Sequence, residues 1–308
     1  MRKRVAIIIL NWNGCLDTID CVQSLQEVEC SMFDIVIVDN ASTDRSAEIL
    51  KQRFPECKLV QNDRNLGFSG GYNVGIKYAL THDFKYILLL NNDTVVEKNF
   101  IFPLIEKLEN NEAIGVVQSK LINYYDHNKI DSLGQEILAA GGMRDIINDG
   151  LSTKSHRRSI EIFGACAAAA LYRAEVFSEV GLFDESFFIL FEDADLSWRI
   201  RLKGYKIFLV PDSIVYHKRG ISGGHRWNKI RNYYLRRNNL FLLVKYWPNN
   251  YFIKYIHFIL YSLIRNSINA ALKGEFQLFL NYLNRKIKER TFIQKNPNIK
   301  RLYSKWLH

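Results

Sequence analysis

"KYILLLNNDTVVEKNF", residues 85–100, decides how the chain is to be read. Tyr86 to Leu90, with Lys85 at the entrance, is a short apolar run of the kind a fully buried strand shows. It stops at Asn91, Asn92 and Asp93, after which a polar, helix-like stretch is expected. Polar groups gathered at the end of a buried strand need a use there. The same grammar recurs on both sides. Strand-like Arg4 to Leu10 precedes helix-like Cys15 to Val28, Phe33 to Val38 precedes Asp44 to Phe54, and Lys58 to Gln61 precedes Gly70 to Leu80. Lys85 to Leu90 precedes Glu97 to Asn110, and Ile114 to Gln118 follows. This alternation predicts an α/β fold with a mostly parallel central sheet and crossover helices, on which ligands sit at the carboxyl ends of the strands. The segments "NWNG", "DNASTD", "NDRNLGFSGG" and "NNDT" all fall at those ends.

From Lys120 to Arg158 the periodicity weakens, and the Gly-rich "AAGGMRDIINDG" reads as an irregular excursion or flexible loop. "FGACAAAALYRAEVF" has the small residues of a strand packed close to something, "FEDADLSWRIRLKGYK" reads as a helix, and "IFLVPDSIVYHKRG" as a pair of short strands. Beyond Trp227 only helices are expected. The division is therefore a catalytic-type domain over 1–220 and a basic, aromatic-rich helical extension over 221–308.

A chain of 308 residues that is 48% hydrophobic has enough apolar material for a sizeable core. Its five cysteines, Cys15, Cys21, Cys30, Cys57 and Cys166, are scattered and odd in number, which argues against a disulfide framework or a zinc site and for a reducing cytoplasm. "MRKRVAIIILNWNG" imitates a signal peptide, but its apolar run is too short and lacks a small-residue cleavage site, so it reads as the first strand. The net charge of +10 is uneven: from Lys218 onward 19 Lys and Arg face two acids, a balance of +17, whereas the remainder carries 23 against 30, or −7. Aromatic residues such as Tyr233, Tyr234, Tyr246 and Trp247 interleave with those charges. Such a segment suits nucleic acid, an anionic membrane or a solvated face.

Asp39, just past a buried strand, offers an acceptor for a pyrimidine N–H or a ribose hydroxyl, or else caps the next helix, a role that Asp44 also suits. Gly67, Gly70 and Gly71 precede a helix in a loop that lets backbone approach a ligand and aims a helix N-terminus at phosphate. Asp93 supplies one hard oxygen ligand, enough for magnesium or manganese only with diphosphate, water and a further protein group, for which His217 is a candidate. Glu192, Asp193 and Asp195 crowd the start of a helix, where they either favour its dipole or provide a base with a raised pKa. Phe191, Ala194, Trp198 and Leu202 form an apolar stripe, which places Asp193 beside the buried side and makes Asp195 and Arg199 an exposed i, i+4 pair.

In order and spacing, "AIIILNWNG", "IVIVDNASTD", "NLGFSGGYNVG", "LLLNNDT", "FGACAAAALYRAEVF", "GLFDESFFILFEDADLSWRIRLKGYK" and "VYHKRG" together resemble the family 2 glycosyltransferases of the GT-A fold, over roughly Arg4 to Gly220. Within that family the chain is similar to the bacterial rhamnosyltransferase-like branch that builds surface polysaccharides. The resemblance implies that Asp39 binds the base and that Asn11 and Asn65 line the nucleotide pocket, with Gly67, Gly71 and Asn92 also on the donor side. It implies that Asp93 and His217, with Asn91, hold a divalent cation, Mg or Mn, on the diphosphate, and that Asp193, with Glu192 beside it, is the catalytic base. The family's metal motif is usually Asp-x-Asp, and here its first position is Asn91, a poorer ligand.

The activity so implied is inverting transfer of a sugar, rhamnose from dTDP-rhamnose in this branch, to a hydroxyl of a glycan or lipid-linked glycan. The expected location is cytoplasmic, peripheral at the inner face of the membrane, with an anionic membrane surface as a partner. A UDP-sugar donor is the alternative. A nucleotidyltransferase would need a basic signature for triphosphate, which "NWNG" lacks, and a nucleic-acid binder would leave Asp93, Asp193 and His217 idle; no nucleic-acid partner is expected.

Overall fold

The computed structural model describes residues 5–29, 32–138, 142–147, 158–219, 224–254, 256–272, 274 and 276–306. Strands β1 (Val5–Asn11), β2 (Phe33–Asp39), β3 (Lys58–Gln61) and β4 (Tyr86–Asn91) pair in parallel in the order β3-β2-β1-β4, joined by helices α1 (Cys15–Gln26), α2 (Ser46–Arg53) and α3 (Gly67–Thr81). The run after Asp93 is a short strand, β5 (Thr94–Val96), before α4 begins (Ile101–Glu109), so the expected helix starts later than the sequence suggests. β5 pairs with the far strand β12 (Lys206–His217), an attachment invisible in local periodicity.

β6 (Ile114–Asn123) is a ten-residue strand, longer than expected, and short strands β7 (Ile130–Ser132), β8 (Gln135–Ile137) and β9 (Met143–Asp145) occupy much of the stretch read as irregular. Residues 139–141 and 148–157 of that excursion lie outside the described residues. After the two-residue β10 (Ile160–Glu161), β11 (Ala169–Arg173) runs antiparallel between β4 and β6, and α5 (Ala174–Val180) and α6 (Glu192–Lys203) follow. β12 is one strand rather than a pair, because it stays on β6 across a register shift between Val210 and Ile214 that absorbs Pro211 and Asp212. A bulge accommodates a proline that an unbroken ladder would not.

β1 shows why the sheet is buried on both faces. Val5, Ile7 and Ile9 pack against Ile19, Val22 and Leu25 of α1, while Ala6 and Ile8 pack against Tyr72, Ile76 and Ala79 of α3. Gly71 permits that second contact to be close, since a Cβ there would lie 2.5 Å from Leu10 Cδ1. A third core joins α6 to helices α7 (Gly224–Tyr246), α9 (Ile256–Leu272), α10 (Phe276–Ile293) and α11 (Pro297–Trp306), which with α8 (Asn249–Lys254) complete the chain. In it Trp198 stacks on Tyr246 with ring centroids 4.8 Å apart. The expected boundary at residue 220 falls outside the described residues, and the helices beyond it share this core with α6.

Candidate active site

Because β1, β2, β4, β6 and β12 point the same way, their carboxyl ends form one edge of the sheet. Register sets Asn11 opposite Asp39 and Leu10 opposite Asn91. Buried Asn11 donates from Nδ2 to Asp39 Oδ1 at 2.8 Å and to Ser42 Oγ at 3.0 Å, and its Oδ1 accepts from Thr18 Oγ1 at 2.8 Å. Asp39 also accepts from the Ser42 hydroxyl at 2.6 Å and the Ser42 N–H at 3.0 Å. Its carboxylate is thus held in one orientation at the end of β2. The Asp44 side chain accepts from the N–H of Ser46, the first residue of α2, at 3.1 Å, although the N-cap position itself is Arg45 rather than Asp44.

Asn40 links this turn to the start of α3, where Gly67, Gly70 and Gly71 lie in the first turns of the helix rather than in a loop preceding it. Its Nδ2 donates to Asn65 Oδ1 and Gly67 O, and its Oδ1 accepts from Asn62 Nδ2 and Leu66 N–H, all at 3.0 Å. Asn65 Oδ1 accepts the Gly67 N–H at 2.7 Å. Gly67 has φ +70°, and a Cβ there would sit 2.4 Å from Phe188 O. The close approach that Gly67 allows is therefore to the turn at Phe188, and the one at Gly71 is to Leu10.

At the end of β4, the Asn92 amide turns toward α1 and donates to Thr18 Oγ1 at 3.1 Å and Gly14 O at 3.4 Å. Asp93 Oδ1 lies 3.2 Å from His217 Nε2, although the residues are 124 positions apart in sequence. The opposite ring nitrogen, Nδ1, donates to Asp131 Oδ2 at 2.6 Å. Arg219 pairs with Asp131 and reaches Asp145 Oδ2 at 3.4 Å. Burial alone would lower the His217 pKa, but the bonds to Asp131 and Asp93 outweigh it and push it up to about 9. Asn91 brings Nδ2 within 3.5 Å of His217 Nε2 and its Oδ1 accepts from Tyr72 OH at 3.3 Å, so the amide must turn before its oxygen can serve a cation.

Among the described residues no cluster of three or more His, Cys, Asp or Glu offers a complete metal cage. Asp93 and His217 nevertheless fit a hard divalent cation that takes most of its ligands from water and phosphate. One carboxylate oxygen and one imidazole nitrogen meet at 3.2 Å, and Asp131 holds the ring from behind.

Glu192 and Asp193 open α6 after an unusual turn. Phe188 has φ 64° and ψ −58°, and the Ile189 N–H donates to Phe187 O at 2.7 Å, which makes a γ-turn of the rare, strained kind. Leu190 and Phe191 follow at φ 71° and 70°. Each such residue costs on the order of 1–3 kcal/mol and persists only where its surroundings over-determine it.

Asp193 Oδ2 accepts from Gln135 Nε2 at 2.9 Å and from the Ala167 N–H at 3.4 Å, and Oδ1 accepts the Ala194 N–H at 2.8 Å. Burial raises its pKa despite those donors. Glu192 is 4% exposed, and its Oε2 has no partner among the described residues. Burial, with the neighbouring Asp193 charge, holds its pKa well above the carboxylate range. Asp193 thus has the polar frame of an ionised carboxylate, and Glu192 has that of a neutral acid. Asp145, partly buried, is pushed up to about 6 by desolvation and the charge of Asp193, against the opposing charge of Arg219.

Asp195, expected on the exposed side, is fully buried. The i, i+4 pair with Arg199 exists at 2.9 Å, but Lys245 Nζ at 2.7 Å and Tyr246 OH at 2.9 Å close over the carboxylate from α7. A helical stripe counted along α6 alone misses a neighbour contributed by a distant helix.

Residues 6–181 match the family described as Glycosyl transferase family 2. The chain is 26% identical over 259 residues to the dTDP-rhamnosyl transferase RfbF of Shigella flexneri, covering 80% of this chain and 81% of that protein. It is 25% identical over 246 residues to a poly-beta-1,6-N-acetyl-D-glucosamine synthase of Staphylococcus epidermidis, covering 79% of this chain and 57% of the synthase, so it spans little more than half of that relative. In structure it is similar to GalNAc-T7 with UDP, GalNAc and Mn2+, with a TM-score of 0.62 at 16% identity, covering 80% of this chain and 49% of that one. It is also similar to the mannosyltransferase PcManGT of Pyrobaculum calidifontis in complex with GDP-Man and Mn2+, with a TM-score of 0.54 at 15% identity, covering 100% and 88%. The mixed, mostly parallel sheet with C-terminal helices is the GT-A fold of those structures.

Proposed function

The chain belongs to glycosyltransferase family 2, and from that premise we propose that it is a metal-dependent, inverting transferase moving a sugar from a nucleoside diphosphate to a hydroxyl of a glycan or lipid-linked glycan. The observation that carries this reading is the meeting of Asp93 with His217 on the sheet edge where Asp39 and Asn11 are also fixed. Asp39 serves as acceptor for the base or ribose, with Asn11 and Asn65 keeping that side of the pocket rigid. Asp93 and His217 hold the cation, which when bound supplies Lewis-acid stabilisation to the departing diphosphate. Asp193 takes the proton of the acceptor hydroxyl as its oxygen bonds to the anomeric carbon. The bond from that carbon to the phosphate oxygen breaks, its electron pair leaves with the nucleoside diphosphate, and the anomeric centre inverts.

A dTDP-rhamnose donor is favoured because RfbF is matched over most of its own length. A UDP-sugar is the second reading, because a carboxylate held like Asp39 suits uracil and thymine alike. A lipid-linked acceptor would place the enzyme in the cytoplasm against the inner face of the membrane. The test is release of free nucleoside diphosphate by purified full-length chain from dTDP-rhamnose, UDP-sugars and GDP-mannose, with Mg2+ or Mn2+ and in chelator. Turnover of one donor that chelator and Asp93→Ala both abolish is the expected result. Activity untouched by either would remove the metal from the mechanism, and no donor binding by calorimetry would overturn the whole reading.

A further inference from the structure

The turn that precedes α6 is held from the other end of the chain. Asn238 on α7 is fully buried, and its side-chain amide donates to three carbonyls of the turn, Phe187 at 2.8 Å, Ile189 at 2.8 Å and Leu190 at 2.7 Å, skipping that of Phe188. Its neighbour Arg237, 5% exposed, donates from Nη2 to Ser186 O at 2.5 Å and Phe187 O at 3.0 Å, and from Nε to Asn238 Oδ1 at 3.0 Å. The Arg237 Nε bond fixes which way the Asn238 amide faces, so the two side chains act as one unit. Phe188, at the apex of the γ-turn, stacks on Tyr234 one helical turn earlier, with centroids 5.2 Å apart. On its other side Phe188 O accepts the Ser69 N–H at 3.2 Å, beside Gly67.

We propose that Arg237 and Asn238 are positioning residues for the transfer reaction, a clamp that forces the 187–191 turn into its strained path and so sets Asp193 in register with the start of α3 at Gly67. Carbonyls in a turn with three residues at positive φ point in directions that neither helix nor strand would satisfy. An arginine fork and an amide supply donors in that pattern, which a purely apolar helix contact would not. The strain shows what the clamp is for: relaxing the turn would restore ordinary backbone angles and move the start of α6. A displacement of about 1 Å at a catalytic group costs on the order of 10²-fold in rate. The segment beyond residue 220 is in this view part of the machinery that places the base.

This inference rests on Asp193 being the base, and its test keeps the two apart. In the full-length chain, Asn238→Ala removes the amide group that reaches all three carbonyls, and Arg237→Lys keeps the charge while losing the fork. The expected result for folded Asn238→Ala is a roughly 10- to 100-fold fall in kcat with nucleoside diphosphate affinity within about twofold of wild type. The acidic limb of the kcat profile should also move to lower pH as water reaches Asp193, because burial is what raises that carboxyl. A role in stability alone would lower the melting temperature and leave kcat per folded molecule and the acidic limb unchanged, which would overturn the clamp. If Asn238→Ala does not fold, Arg237→Lys decides by the same readouts. Near-normal turnover in Asp193→Asn would instead refute the base assignment, whereas an inactive Asp193→Asn beside a fully active, folded Asn238→Ala would refute only the clamp.

Discussion

Asp131 holds His217 by its Nδ1 at 2.6 Å, so that Nε2 is the nitrogen presented to Asp93. A carboxylate behind an imidazole fixes its tautomer and raises its basicity as a ligand. Asp131→Asn should therefore weaken Mn2+ binding by about 10- to 100-fold, measured by calorimetry in the presence of nucleoside diphosphate. The Asp39 side of the pocket should keep its affinity for metal-free nucleotide. Equal Mn2+ affinity in wild type and variant would mean that His217 does not touch the cation.

Asp193→Asn keeps shape and volume but removes the basic oxygen. Transfer should fall by roughly 10² to 10⁴ with donor binding near normal. Glu192→Gln should cost less, because burial and the neighbouring Asp193 charge push the Glu192 carboxyl pKa well up, which disfavours the charged form a base needs. Steady-state kinetics on both variants separates them. Near-normal turnover in Asp193→Asn with an inactive Glu192→Gln would move the base one residue back.

Asp195 is a structural anchor with a defined pH signature. Burial alone would raise its pKa, but the charges of Lys245 and Arg199 outweigh it and lower it to about 2. A carboxyl depressed in the folded state contributes stability that is present above its unfolded value of about 3.9 and is lost as pH falls through the folded one. The melting temperature of wild type should thus drop between about pH 4 and pH 2 more steeply than that of Asp195→Asn. At pH 7 the variant should be less stable by about 3 kcal/mol, since it leaves Lys245 buried with one carboxylate partner fewer. Parallel melting curves for the two proteins across that range would show that the pair carries no net stability.

The strands at the centre of the sheet were legible because β1, β2 and β4 are apolar on both faces and end in polar clusters, a pattern that needs no tertiary knowledge. Asp39, Asp93, His217 and Asp193 could be singled out for the same reason, each sitting at or next to an element end. Asp131 and Asp145 could not, because β7 and β9 are three residues long and show no period. β5 was missed because its partner is more than a hundred residues away in sequence, at His217. The burial of Asp195 was missed because Lys245 arrives 50 residues later. The 187–191 turn has no glycine to announce positive φ, and its donors come from α7.

Gly67 carries a prediction about the turn from the opposite side. Gly67→Ala would place a non-glycine residue at φ +70° with its Cβ 2.4 Å from the Phe188 carbonyl oxygen. The Phe188 ring lies almost as near, at 2.6 Å, so relief needs the whole turn to move. A loss of about 1–3 kcal/mol is expected in urea unfolding, together with weaker nucleotide binding as the Asn40–Asn65 contacts shift. Unchanged stability would mean that the Phe188 turn moves freely away from α3.

The last prediction concerns the side of the C-terminal helices that faces away from the catalytic core. Of the apolar residues that recur there in the sequence, Ile259 is buried in the third core, while the side chains of Phe252, Tyr255, Ile256 and Leu272 lie outside the described residues. Leu260, Tyr261, Ile264 and Ile268 instead form an exposed stripe at helical spacing on α9, each at least 50% exposed. Among the described residues no helix is long and apolar enough to cross a membrane. An apolar stripe on a segment whose balance is +17 suits the surface of an anionic bilayer, where aliphatic side chains enter the interface and cations meet the headgroups. A second copy of the chain would set +17 against +17 and is disfavoured. The full-length protein should sediment with phosphatidylglycerol-containing vesicles at low salt, release as salt rises, and ignore pure phosphatidylcholine. Ile264→Glu with Ile268→Glu should abolish sedimentation without lowering the melting temperature, because neither side chain is packed in a core. If wild type remains in solution with anionic vesicles at low salt, the membrane surface is not a partner. If the doubly substituted protein binds as wild type does, charge alone carries the attraction and α9 does not insert.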